Sequence, residues 1–169
     1  MNKQLSTGPI IYVMGVSGSG KSTIGQMLAS ALQLPYREAD DFHPAENIAK
    51  MASGQPLNDA DRRPWLQALN AQAIALQAQS GAVISCSALK NEYRILLQQG
   101  LVTTSVKWIY LHGTKETISA RMSSRQDHFM PSTLLQSQLD TLEEPVDAIR
   151  VEIDQSPREI VNTILNELE

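Results

Sequence analysis

Gly15-Val16-Ser17-Gly18-Ser19-Gly20-Lys21-Ser22 follows the apolar run Ile10 to Met14 and leads into a stretch, Lys21 to Leu32, where Ile24, Met27, Leu28, Ala31 and Leu32 recur at helical spacing. The octet fits G-x-x-x-x-G-K-[ST] in full, in the strand-to-helix setting that gives this pattern its meaning. Its glycines permit backbone angles that turn successive N–H groups inward, and the start of a helix adds partial positive charge. Such a nest holds phosphate. The pattern predicts Lys21 reaching the β- and γ-phosphates of a nucleotide and Ser22 offering its hydroxyl to Mg²⁺. ATP and Mg²⁺ are therefore the expected ligands, with Gly15, Val16, Ser17, Gly18, Ser19, Gly20, Lys21, Ser22 and Thr23 lining the nucleotide site.

Outward from this loop, apolar runs of strand length alternate with helix-period segments along the chain, the pattern of an α/β fold whose parallel sheet is flanked by helices. Five strands are expected: Ile10 to Met14, Pro35 to Ala39, Ala82 to Cys86, Val106 to Leu111 and Val151 to Asp154. A terminal helix is expected over Pro157 to Leu168, with Ile160, Val161, Ile164, Leu165 and Leu168 on one face. More than forty residues separate the second and third strands, and they divide at Gly54-Gln55-Pro56 into two helices. Asn58 or Asp59 can cap the second of these, which either starts at Pro64 or kinks there. This insertion, roughly residues 42–80, is the natural place to bind a second substrate. An irregular stretch, about residues 123–131, joins the helix after strand four to a helical segment, Ser132 to Leu142, and occupies the place of a lid. No repeat or linker divides the chain, so residues 1–169 read as one domain.

The bulk composition narrows the function. At 169 residues one domain can bury roughly 70% of its unfolded surface. A formal net charge of −4 disfavours a broad nucleic-acid footprint. No run approaches the roughly 18 apolar residues that span a bilayer. Residues Met1 to Pro9 lack the basic and apolar regions of a secretory leader. The single cysteine, Cys86, cannot form an internal disulfide. A cytoplasmic protein with a small-molecule substrate is expected, free of membrane and nucleic acid.

What the phosphate loop serves is narrowed by what accompanies it. No Asn-Lys-x-Asp segment of a guanine-specific switch follows a later strand, and strand three ends Ile84-Ser85-Cys86-Ser87 without the metal-holding Asp of motor and transport ATPases. The acid that could approach the metal is instead Asp40, just after strand two. The chain resembles the bacterial-type gluconate kinases over nearly its whole length. The resemblance is carried by Met14 to Ser22, Asp40-Asp41-Phe42-His43-Pro44, Asn47 to Met51, Gly54-Gln55-Pro56-Leu57, Asp59 to Leu66, Cys86 to Lys90, Tyr93-Arg94 and Arg121 to Phe129. It implies an adenylate- and shikimate-kinase-like fold and a homodimer that transfers the γ-phosphoryl of ATP to the terminal hydroxyl of D-gluconate.

The residues themselves suit a polyhydroxy acid. Asp40 stands at the carboxyl edge of strand two, where open α/β sheets place ligands, and is the candidate that accepts or orients the hydroxyl proton. Asp41 in that role, or a purely metal-linked carboxylate, is the alternative. His43 could bond a substrate hydroxyl, orient Asp40, or simply lead into the Pro44 helix. Arg62, Lys90 and Arg94 could clamp a carboxylate and the transferring phosphate, the alternative being solvated charges near helix starts. Arg121 and Arg125, at i and i+4, could reach the nucleotide and its γ-phosphate when a lid closes, the alternative being a solvated stripe. Glu38 stands where such kinases commonly carry Asp, so contact with a metal-bound water there is in doubt. Asp154 and Pro157 fall where related kinases seat adenine. Trp65 and Met51 read as packing. Two rivals stay open: a kinase of the same fold for another acceptor, such as shikimate or another sugar acid, and a nucleotide-dependent module with no acceptor.

Overall fold

The computed structural model describes residues 7–124 and 132–169. Its strands are β1 (Ile10–Met14), β2 (Tyr36–Glu38), β3 (Ala82–Ser85), β4 (Val106–His112) and β5 (Ile149–Glu152). Its helices are α1 (Lys21–Leu32), α2 (Ala45–Ala52), α3 (Asp59–Gln77), α4 (Asn91–Gln98), α5 (Lys115–Ser124), α6 (Ser132–Thr141) and α7 (Pro157–Leu168). All five strands are parallel, in the order β2-β3-β1-β4-β5.

β1 lies at the centre, pairing Val13 with Ser85 of β3 on one side and with Ile109 of β4 on the other. Both of its faces are buried, which is why it is apolar at every position rather than alternating. On one face Tyr12 and Met14 pack with Trp65, Leu66 and Leu69 of α3, Leu97 of α4 and Trp108 of β4. On the other, Ile11 and Val13 pack with Ile24 and Leu28 of α1 and with Ile160 and Ile164 of α7. The chain leaves β1 toward β2 and β3, then resumes on the opposite side at β4. The carboxyl end of β1 is thus the switch point at which open α/β sheets bind ligands.

Local signals set the best-defined boundaries. α1 and α7 cover the expected residues. α1 opens on Gly20 in the left-handed region, φ 97°, and α7 on a reciprocal Ser156–Glu159 capping box followed by Pro157. A second capping box, Asn58 with Asp61, starts α3 at Asp59, so Pro64 lies inside the helix, not at its start. Gly25 lets α1 lie against the sheet: a Cβ there would fall 2.4 Å from Ser85 Oγ and 2.7 Å from Tyr36 Cε2.

Only β1 has the expected bounds: β3 ends one residue before the expected Cys86, β4 runs one beyond the expected Leu111, and two strands depart further. β2 is shorter than the expected Pro35 to Ala39, because a 3₁₀ turn, Ala39–Phe42, takes over at the carboxyl end. β5 begins two residues before the expected Val151 and ends at Glu152. It is one of the two edge strands, and its exposed Arg150 interrupts the apolar run that marks a buried strand in sequence.

Candidate functional site

The phosphate loop leaves β1, crosses the switch point and ends in the first turn of α1. Gly20 caps the helix without a side chain, so the N-terminus of α1 stays open toward the loop. Lys21 folds back and donates from Nζ to the Val16 carbonyl at 3.0 Å. Burial holds its pKa below the ordinary lysine range, an effect that the carboxylates of Asp40 and Glu38 oppose. Ser85 Oγ donates to the Lys21 carbonyl at 2.8 Å and fastens the first turn of α1 to β3. Thr23 is exposed in that same turn.

Glu38 sits at the end of β2, directly beside the loop. Its Oε2 accepts from Ser22 Oγ at 2.5 Å and from the Tyr36 hydroxyl at 2.6 Å. The longer side chain therefore does reach the loop hydroxyl. A hydroxyl and a carboxylate side by side form an all-oxygen pair, the donor chemistry of a hard divalent cation. Among the described residues no group of three His, Cys, Asp or Glu is arranged to hold a metal. A cation here would draw its other ligands from nucleotide phosphates and water.

Next to the loop a cleft of about 120 Å³ opens, lined among others by Lys21, Asp40, His43, Arg62, Trp65 and Gln138. Asp40 comes from the 3₁₀ turn after β2, and its carboxylate is 79% exposed. His43, three residues on, is buried to 4% and stacks on Trp65 with ring centroids 4.0 Å apart. Its surroundings fix its tautomer. Asn47 Nδ2 donates to the Asp61 carbonyl at 2.9 Å and lies 3.2 Å from His43 Nδ1. The carbonyl can only accept, so it identifies the amide nitrogen, whose second hydrogen then faces Nδ1. His43 Nε2 therefore carries the proton and points toward Asp40 Oδ1, 3.8 Å away. Burial lowers the His43 pKa, Asp40 raises it and Arg62 lowers it again. The ring is accordingly neutral at pH 7, and its contact with Asp40 is not an ion pair.

Arg62 enters the cleft from the second turn of α3. Its Nη1 donates to the Tyr93 hydroxyl at 3.0 Å, and its guanidinium lies over the Tyr93 ring, 5.4 Å from the centroid. The Tyr93 hydroxyl in turn donates to Asp59. Lys90 Nζ meets the same Asp59 at 3.1 Å and covers the ring at 5.6 Å. Asp59 thereby raises the Lys90 pKa, while Tyr93 and then Lys90 lower that of Asp59.

The structure does not bring all the expected clamp residues together. Arg62 lines the cleft; Lys90 and Arg94 do not. Lys90 is engaged by Asp59 at the mouth of α4. Arg94 is 4% exposed and donates to the Ala88 carbonyl at 2.6 Å and the Glu143 carbonyl at 2.8 Å. In this arrangement it ties the segment after β3 to the segment after α6. Arg121 lies near Gly20 and donates to the Ile153 carbonyl just after β5. Arg125 and the expected lid residues 125–131 fall outside the described residues.

Three residues of α6 that the sequence reading passed over, Leu134, Ser137 and Gln138, also line the cleft. They stand at i, i+3 and i+4, so one helical face carries them, but the leucine pattern that defines α6 masks the polar pair. Trp65 and Met51, expected as packing, line the cleft as well, and Trp65 does both: its Nε1 donates to the Ala39 carbonyl at 2.7 Å, bracing the turn that carries Asp40.

Comparison with known proteins gives consistent relatives. Residues 17–169 match the shikimate kinase family. A thermoresistant gluconokinase of Escherichia coli K12 is 47% identical over 151 residues, covering 86% of this chain and 85% of that one. A gluconokinase of Arabidopsis thaliana is 42% identical, with coverage of 94% and 92%. Among solved structures, a gluconokinase from Sinorhizobium meliloti 1021 superposes with a TM-score of 0.87 at 44% identity, covering 96% of this chain and 92% of that one.

Proposed function

The chain belongs to the shikimate kinase family and, within it, to the gluconokinases, and from that premise we propose that it transfers the γ-phosphoryl of ATP to the terminal hydroxyl of D-gluconate, giving 6-phospho-D-gluconate. The observation that carries this reading is a single cleft with the phosphate loop on one wall and an exposed carboxylate, a neutral histidine and an arginine on the other.

In the proposed reaction Lys21 swings from the Val16 carbonyl to the β- and γ-phosphates, and the loop amides and Arg121 hold the rest of the nucleotide. Mg²⁺, held at Ser22 with Glu38 beside it, would supply charge neutralisation on the β- and γ-oxygens. Asp40 accepts or orients the proton of the attacking hydroxyl; its exposure leaves it free to face a substrate. His43 directs its Nε2–H into the space beside Asp40, where it can donate to a substrate oxygen or hold the carboxylate. Arg62, forked and fixed by Tyr93, is placed to meet the acceptor's carboxylate. Arg125 is proposed to reach the γ-phosphate from the lid. Lys90 and Arg94 act from behind the cleft, Lys90 by steadying Asp59 and Tyr93. Transfer is then mostly alignment and charge stabilisation.

The cellular setting is proposed on narrower support. No helix among the described residues is long and apolar enough to cross a membrane. The one cysteine, Cys86, is buried and its thiol is pushed up to about 12 by burial, unsuited to disulfide exchange. Both accord with a cytoplasmic enzyme. The homodimer rests on the family resemblance and is tested by light scattering. The decisive assay is ATP-dependent product formation from D-gluconate, identified by mass, beside its epimers and shikimate. No phosphorylated gluconate, with ATP left intact, would sink the reading.

A further inference from the structure

Among the described side chains of α6, Gln138 is the one that bonds to the phosphate loop while also lining the acceptor cleft. Its Oε1 accepts from the Ser17 backbone N–H at 2.7 Å and its Nε2 donates to Ser17 Oγ at 3.1 Å. The backbone N–H can only donate, so the two bonds fix which end of the carboxamide is oxygen. Two residues 121 positions apart are thus clasped at two points.

Ser17 itself is the loop residue that faces the cleft beside Lys21. The clasp therefore lies on the seam where a phosphoryl group passes from donor to acceptor. Among the described residues the carboxamide has capacity left over: one of its two N–H hydrogens and one oxygen lone pair have no partner there. A neutral group that both donates and accepts suits a hydroxyl-bearing carbon chain. A charged side chain at this seam would either attract or repel the transferring phosphate. Asp40, His43 and Arg62 line the same cleft, so an acceptor held among them lies within the same small space as Gln138.

We propose that Gln138 is an acceptor-positioning residue, which holds Ser17 in register and presents its free N–H and lone pair to the acceptor's hydroxyls. The proposal rests on the reading of the cleft as the gluconate site. It makes α6 part of the acceptor site.

The test is Q138M and Q138E, assayed beside the wild-type enzyme for kcat, for KM of D-gluconate, and for ADP affinity by calorimetry. Q138M keeps the length and removes every hydrogen bond. It should raise KM for gluconate and lower kcat by about 10-fold each while ADP affinity stays within about 2-fold. Q138E can still accept from Ser17, but it sets a negative charge beside the transferring phosphate, so its kcat should fall further than that of Q138M. Unchanged gluconate kinetics in Q138M would overturn the proposal, as would a loss of ADP affinity as large as the loss of turnover, which marks a residue that only shapes the loop. If Q138M fails to melt cooperatively, Q138N, which keeps the amide but withdraws it by one methylene, is read by the same criteria. A wild-type enzyme that leaves gluconate unphosphorylated fails the functional reading, and the proposal with it; wild-type turnover alongside unaltered Q138M fails the proposal alone.

Discussion

On the proposed donor wall of the cleft the loop amides and Lys21 come from one continuous stretch, Gly15 to Ser22, whereas the proposed acceptor wall gathers Asp40 from a 3₁₀ turn, His43 from the step into α2, Arg62 from α3 and Gln138 from α6. In the proposed reading the donor wall recognises what every nucleoside triphosphate shares, and a short rigid loop of backbone amides is sufficient for that. The acceptor wall must recognise one arrangement of hydroxyls and a carboxylate, which takes side chains arriving from several directions. Damage to the two walls should therefore look different in kinetics.

The sharpest break is Asp40→Asn. It keeps the shape of the 3₁₀ turn and removes the group proposed to take or orient the proton. We expect kcat to fall about 10²–10⁴-fold with ADP affinity nearly unchanged. Turnover within a few-fold of wild type would transfer the role to Asp41 or to the metal alone. Lys21→Ala breaks the opposite wall, and because the ammonium serves both ground state and transition state, nucleotide affinity and kcat should fall together, with kcat down about 10²–10³-fold. If nucleotide affinity survived intact, the asymmetry between the walls would disappear.

A milder change sharpens the comparison within the acceptor wall. Tyr93→Phe retains the ring beneath Arg62 but deletes the oxygen that accepts from its Nη1 at 3.0 Å. Two hydrogen bonds to charged groups are lost, that from Arg62 and that to Asp59, so KM for gluconate should rise about 10-fold while kcat changes by less than about 3-fold. An equal fall in kcat would mean that Arg62 acts on the transferring phosphate rather than on the acceptor.

The two walls also differ in how far they could be read from sequence. The donor loop, α1 and α7 were legible because their determinants are local: a glycine-rich octet, Gly20 at the helix start, and Ser156-Pro157 with Glu159 three residues after the cap. The capping of α3 was legible for the same reason, and the start at Asp59 shows that a cap can outweigh the awkwardness of Pro64. Asp40, His43 and Arg62 stood out as chemical types, but nothing local separates Arg62, which enters the cleft, from Arg94, which is consumed by two backbone carbonyls. That difference depends on where α4 docks. Gln138 was invisible for the same reason, since its partner is 121 residues away and its helix announces itself through leucines. β5 was displaced by two residues because an edge strand needs no continuous apolar run.

The smallest expected effect concerns the hinge of the acceptor wall, His43, and is read as stability against pH. The ring is 4% exposed, packed flat on Trp65, receives Asn47 at Nδ1 and faces Asp40 and Arg62. Burial lowers its pKa below the 6.5 of an unfolded histidine, with Asp40 opposing and Arg62 assisting. Between pH 6.5 and that lower folded value the unfolded chain binds more protons than the folded one, so folding stability falls as the pH falls, and the loss levels off once the folded ring is also protonated. His43→Asn has no proton to gain. Its Tm should lie below that of the wild type at pH 7.5, because the stack on Trp65 is lost, and the gap should narrow by a few degrees as the pH is lowered to 5.5. A gap that stays constant over that range would mean the folded ring titrates like an exposed one. The tautomer assigned from Asn47 would then give no support to a neutral His43 beside Asp40.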